Sequence, residues 1–168
     1  RDDVSIAIAY CGVCHTDVHV VNNDLNTTVY PCVPGHEIIG HVQAVGPDVT
    51  RFRVGEAVAV GVLVDSCQAC LCCEHGEAQH CLHGATHTYN GKDRQTGEIT
   101  YGGYADHIVV RERFVFRVPP ALDLRTAAPL LRAGITVWSP LKRHAVGPGS
   151  RVAVAGLGGL GHMAVKLA

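Results

Sequence analysis

No stretch of the sequence is long and apolar enough to cross a bilayer, which takes about 20 such residues, and no secretory leader opens the chain. A membrane is therefore not an expected partner. Aromatic residues make up only 5% of the 168, with a single Trp and a single Met, and they nowhere interleave with a run of Lys or Arg. The formal net charge is −1, so the chain lacks the concentrated positive face that nucleic-acid phosphates require, and nucleic acid is excluded as its main partner. An initial Met is missing as well. The chain opens on Arg1-Asp2-Asp3, so an upstream segment is expected, and the lack of a leader says little about where the protein resides.

What is plentiful is Cys (8), His (11) and Gly (19), on a globular background that is 47% apolar and 17% charged. Eight cysteines are enough for a secreted disulfide framework, but their clustering at metal-ligand spacings favours reduced thiols and a cytoplasmic setting. The strongest cluster is Cys67, Cys70, Cys73 and Cys81, four thiols within fifteen residues. A loop this tight can wrap four sulfurs around one Zn²⁺, and four thiolates leave no open position for a substrate, so the site reads as structural. Its binding energy would be folding energy for a lobe, 66–82, too short to own a core. A disulfide here would close little loop and so contribute little. Cys72 is the odd thiol, with a shift of register onto it as the alternative; His75, His80 and His83 read as solvated loop residues.

Tyr10 to Glu37 gathers a second set. Cys14 and His36 are a soft thiolate and an imidazole that suit Zn²⁺, and the Glu37 carboxylate can occupy or vacate a further position. Thr16 and His19, at plus two and plus five from the thiol, would give the proton of a metal-bound alcohol a short path to water. Cys11 and Cys32 read as small buried hydrophobes.

Around these motifs, Val4 to Tyr10 alternates apolar and small residues, which predicts a half-buried strand leading to Cys14. The segments 38–45 and 54–64 are β-branched and glycine-punctuated, as in a small curved barrel, and 105–110 and 114–118 read as two further short strands. Residues 85–100 read as a surface loop. Past Pro119-Pro120, Asp123 is a candidate N-cap for a helix to Leu131, and a second helix is expected over 133–144, with Trp138 in its core face. Arg151 to Ala155 reads as a buried strand. Gly156-Leu157-Gly158-Gly159-Leu160-Gly161 follows it at once and opens a helix, the context in which such a glycine pattern cradles a dinucleotide pyrophosphate.

Together these residues resemble the zinc-dependent medium-chain alcohol dehydrogenases, most closely the cinnamyl-alcohol-dehydrogenase-like branch. The resemblance runs from Ile6 to Ala168. It implies a GroES-like, mainly β barrel catalytic domain over 1–122, followed over 123–168 by the start of a Rossmann-type α/β domain. The object then looks truncated, because the residue that selects NAD or NADP is expected about twenty positions past the fingerprint. By resemblance Cys14, His36 and Glu37 form the catalytic zinc site, Thr16 and His19 relay the proton, and His15 lies near the cofactor pyrophosphate. Thr136 faces the nicotinamide, and the structural zinc takes Cys73 rather than Cys72.

One departure stands out. The segment 127–136 matches the family stretch that supplies a third cysteine to the catalytic zinc, and that position is Arg132. A guanidinium has no lone pair to donate and stays charged. Either Cys14, His36 and Glu37 hold the metal more weakly, or Arg132 pairs with Glu37 and the site stays empty. The expected parent activity is interconversion of alcohols and aldehydes with NADP or NAD, with broad primary and aryl substrates and a homodimeric assembly. The rivals are an inactive zinc-stabilised interaction module and a metal-storage protein.

Overall fold

The computed structural model describes residues 2–168. Strands β1 (Asp3–Cys11), β2 (Ile38–Val45) and β3 (Ala57–Val60) pair in antiparallel succession, with β6 (His107–Arg111) beyond β1 and β7 (Val115–Arg117) beyond β3. The alternation in β1 sets its register. Val4 faces Val45 and Val110, and Ile6 faces Val42 and Ile108; all but the exposed Val45 lie within one apolar layer. Irregularities at Ser5/Ile6 and Ile8/Tyr10 bend the strand.

One side of this curled sheet buries Val4, Ile6, Ile38, Val58, Val60, Val110 and Val115 together with Phe52 and Phe114. Each such side chain contributes about 1.5–3 kcal/mol by leaving water. The other side takes Ile39 and Ala59 against Val118, Ala127 and Ala128. This second contact seats helix α3 (Leu124–Ala127) on the sheet. Asp123 caps α3 as expected, accepting from the Arg125 N–H. The helix does not run unbroken to Leu131, however; Pro129 lacks an amide donor, and 128–131 tightens to a 3₁₀ turn before α4 (Ala133–Arg143).

The other helices are α1 (His15–Val21), α2 (Leu71–Glu74) and α5 (Gly159–Leu167). A second small sheet pairs β4 (Leu63–Asp65) with β5 (Thr86–His87). Three sequence expectations need correction. Residues 85–100 are not simply a surface loop, because Thr86, Thr88 and Tyr89 are buried beside β4 and Lys92 bridges Ile99. Trp138 is exposed on α4 rather than packed into a core. Arg151 to Ala155 is neither buried nor paired as a strand. A strand takes its hydrogen bonds from a neighbour, and none of the described residues offers one to this segment.

Candidate functional site

The end of β1 and the Pro34–Glu37 segment are locked together where Gly12 N–H donates to the Glu37 carbonyl. Cys14 begins the turn into α1, and Asp17, three residues on, reaches back to accept from the Cys14 N–H at 2.9 Å. This places Asp17 at the N3 position of a capping arrangement. Its carboxylate also accepts from Gly35 N–H at 3.1 Å and from the Tyr104 hydroxyl at 2.9 Å, and its Oδ1 lies 3.2 Å from His36 Nδ1. Burial by itself would raise the Asp17 pKa, but the His36 ring and the Cys14 amide overcome it and hold the acid well below the usual carboxylate range.

His36 is 3% exposed and stacks on the Tyr89 ring at 5.5 Å between centroids. Its Nδ1 is engaged by Asp17, while Nε2 is buried with no hydrogen-bond partner. Such an orphan costs about 1–3 kcal/mol unless something fills the place in front of it. The Cys14 sulfur, a His36 ring nitrogen and a Glu37 carboxylate oxygen all lie within 4.8 Å of one another. Burial raises the Cys14 thiol, but the Thr16 hydroxyl, 3.5 Å away, and His36 more than offset this and lower it. Glu37 is raised, first by burial and also by Asp17, with His36 and Arg132 pulling the other way. The donor set fits a borderline-soft divalent cation such as Zn²⁺.

The four-thiol lobe fits one still more closely. The Sγ atoms of Cys67, Cys70, Cys73 and Cys81 lie within 4.8 Å of one another, with Cys67 and Cys73 at 3.9 Å. Zn–S bonds of about 2.3 Å put tetrahedrally arranged sulfurs about 3.8 Å apart, whereas a disulfide needs about 2.05 Å. All eight cysteines are free thiols. Backbone amides of Cys73 and Leu82 draw the Cys70 thiol down to about 6, whereas Cys67, despite the Ala69 amide, is pushed up to about 11 by burial and by the Cys81 and Cys70 thiols. Cys72 stands outside the set, and Cys73 stands within it. His75, His80 and His83 are solvent-exposed, as expected. Cys11 and Cys32 are only half-buried.

Two cavities meet at Arg132 and Thr136. The smaller, about 460 Å³, is lined by Thr16, His36, Thr88, Tyr89, Asn90 and Arg132 among others. The larger, about 630 Å³, lies between α4, residues 152–156 and α5, and is lined by Thr136, Gly156, Gly158, Gly159, Leu160 and Gly161. Leu157 is exposed and does not line it. Gly156 adopts φ +86°, which favours glycine, and a Cβ on Gly161 would sit 1.8 Å from the Gly156 carbonyl. Both positions thus need glycine, one for its backbone angle and one for the close packing of the turn on α5.

Arg132 Nη1 donates to Thr136 Oγ1 at 2.9 Å. It forms no ion pair with Glu37 among the described residues, so the pairing weighed from the sequence is not made. His19 pairs through Nδ1 with Asp24 at 2.7 Å and packs edge-on against His15, at the solvent-facing side of α1. His15 lines neither cavity. Sequence reasoning missed Asp17, Tyr89, Tyr104 and Asp24. Only Asp17 carried a local signal, an acid at the N3 position of the helix that Cys14 opens.

The sequence family described as "Alcohol dehydrogenase GroES-like domain" matches residues 1–120. The chain is 52% identical over 168 residues to probable cinnamyl alcohol dehydrogenase 3 of Oryza sativa subsp. japonica, covering 99% of this chain and 45% of that protein. A cinnamyl alcohol dehydrogenase structure from Sorghum bicolor superposes with a TM-score of 0.96 at 49% identity, over 99% of this chain and 47% of the other. The structure of CAD from Helicobacter pylori complexed with NADP(H) gives 0.93 at 44% identity, over 98% and 48%. The chain spans about half the length of the curated relatives it matches.

Proposed function

The chain belongs to the family of alcohol dehydrogenase GroES-like domains, and from that premise we propose that its cleft interconverts an alcohol and an aldehyde with hydride exchange to NADP(H). The observation that carries this reading is the buried, partnerless Nε2 of His36 beside the Cys14 thiol and the Glu37 carboxylate. A Zn²⁺ held there would supply Lewis acidity, lowering the pKa of an alcohol bound at the open position.

The protein's own residues do the rest. Asp17 accepts from Nδ1 of His36, which fixes the ring and leaves the Nε2 lone pair free. Thr16 Oγ1, beside the Cys14 sulfur and on the cavity wall, is placed to take the hydroxyl proton. His19, three residues along the same helix face, passes it to water and is steadied through Nδ1 by Asp24. The glycine turn at 156–161 and the start of α5 would hold the cofactor's phosphates, and Thr136, on the wall of the same cavity, would lie toward its nicotinamide end. The Cys67–Cys81 lobe takes a second Zn²⁺ that is structural. NADP is favoured over NAD by the relative complexed with NADP(H), and free thiols fit a reducing compartment such as the cytoplasm.

The test is NADPH consumption with an aromatic aldehyde by the zinc-loaded chain and by its Arg132→Cys variant. Consumption matched by alcohol formation, faster in the variant, is the expected result. If neither protein reduces any simple aldehyde, the oxidoreductase reading fails. A second reading, an inactive zinc-stabilised interaction module, is favoured by the positive charge of Arg132 beside the ligand set. That reading requires a single zinc per chain, held by the four thiols.

A further inference from the structure

Arg132 makes no ion pair among the described residues, although its charge acts on the nearby Glu37 carboxyl, and its one hydrogen bond goes to the neutral Thr136 hydroxyl. A guanidinium carries five N–H donors, so most of this one's capacity is unspent. The side chain lines the 460 Å³ cavity, whose wall contains no acidic residue. The Asp17 carboxylate, close to His36, is saturated by its own donors. Arg132 also stands at the N-cap of α4, an eleven-residue helix with no side-chain cap, so the positive end of that helix adds to the guanidinium charge.

His36, 3% exposed and with Nε2 unpartnered, lines the same cavity and marks its metal-binding end. Thr16, Thr88 and Asn90 add polar surface, while Val20 and Val62 give it an apolar flank. The volume lies within the range of cavities that take small organic ligands, about 300–1,000 Å³. We propose that this cavity is a subsite for a carboxylate-bearing alcohol or aldehyde, with Arg132 gripping the carboxylate and the hydroxyl end directed toward Cys14 and His36. A planar guanidinium matches a planar carboxylate through two parallel hydrogen bonds, a geometry no uncharged ring substituent reproduces. Arg132 is then a specificity residue, and the substrates are hydroxy or oxo acids with a small apolar body. The placement of the hydroxyl end rests on the oxidoreductase reading above; the carboxylate grip does not.

The probes are 4-carboxybenzyl alcohol, benzyl alcohol and inorganic phosphate, titrated calorimetrically into the zinc-loaded chain at low salt, with zinc per chain counted on the same samples. The carboxylate probe is expected to bind at least about tenfold more tightly than benzyl alcohol, in line with a charge-assisted pair. Arg132→Gln should remove that preference, and Arg132→Lys, which keeps the charge but not the fork, should retain only part of it. Unchanged hydrogen-exchange protection of β1–β3 and α4 shows that each variant is folded. Equal affinity for the two alcohols, a preference unchanged in Arg132→Gln, or no binding of either overturns the subsite. Phosphate binding more tightly than the carboxylate overturns the assignment of the anion. If the carboxylate preference holds while only one zinc is bound, the subsite stands and the oxidoreductase reading falls.

Discussion

At Asp17 the Cys14 and Gly35 amides, the Tyr104 hydroxyl and the His36 ring converge on one buried carboxylate. Replacing it by Asn keeps the shape but removes the charge that orients His36. Partners of this kind are worth about 10–100-fold in metal affinity. Asp17→Asn is therefore expected to weaken zinc at Cys14–His36 by that factor in a chelator competition, with the four-thiol lobe untouched. The same pair sets a pH dependence in the metal-free chain. Asp17 is depressed below its ordinary 3.8, so its contribution to stability is complete above that value and lost as pH falls. His36 is raised above 6.5 through Asp17 despite its burial, so its contribution is present below 6.5 and lost as pH rises through the folded value. The denaturation midpoint of the metal-free chain should crest between 3.8 and 6.5, and Asp17→Asn should flatten the crest. Asp17 was hidden in the sequence because an acid near a helix start is ordinary. Its importance comes from Gly35, His36 and Tyr104, eighteen to eighty-seven residues away.

Among the elements, β1 was legible because the apolar face of its alternation, Val4 and Ile6, is met at one edge by Val42 and Val45 and at the other by Ile108 and Val110. The run at 151–155 has equal β-propensity and no pairing, which shows that propensity describes a pleated, half-buried surface and does not create one. Thr86, Thr88 and Tyr89 misled in the opposite sense. Polar residues at turn-rich spacing are buried there because Thr88 Oγ1 donates to the Gly61 carbonyl, satisfying the hydroxyl inside. The fingerprint helix makes a sharp prediction. Gly161→Ala drives a methyl into the Gly156 carbonyl and should cost about 1–3 kcal/mol locally. Hydrogen exchange would show α5 losing protection while β1–β3 keep theirs. The Cys67–Cys81 lobe depends on its metal in the same local way. Chelation is expected to open 66–82 to proteolysis and leave the five-stranded sheet resistant; unchanged cleavage would mean the lobe folds without an ion.

Over the whole molecule, apolar exposure is uneven. The sheet buries one face but leaves Val109 and Phe116 exposed on the other, and Ile135 and Trp138 on α4 and Leu160 and Val165 on α5 are exposed as well. Surfaces of this kind associate. Sedimentation should show a concentration-dependent dimer, reduced in Trp138→Glu, and a strictly monomeric chain at high concentration would count against the proposed assembly. No helix among the described residues is long and apolar enough to cross a membrane. The two ligand clusters sit on different parts of the fold, one on the α1 turn and the Pro34–Glu37 segment, the other on the lobe that follows β4. They can therefore be emptied separately. The most direct measurement is zinc per chain by elemental analysis of the parent, of Cys14→Ser and of the Cys14→Ser/His36→Gln double variant. The account predicts two ions in the parent and one in each variant, the survivor held by the four thiols. One ion in the parent, or two persisting in the double variant, would contradict it.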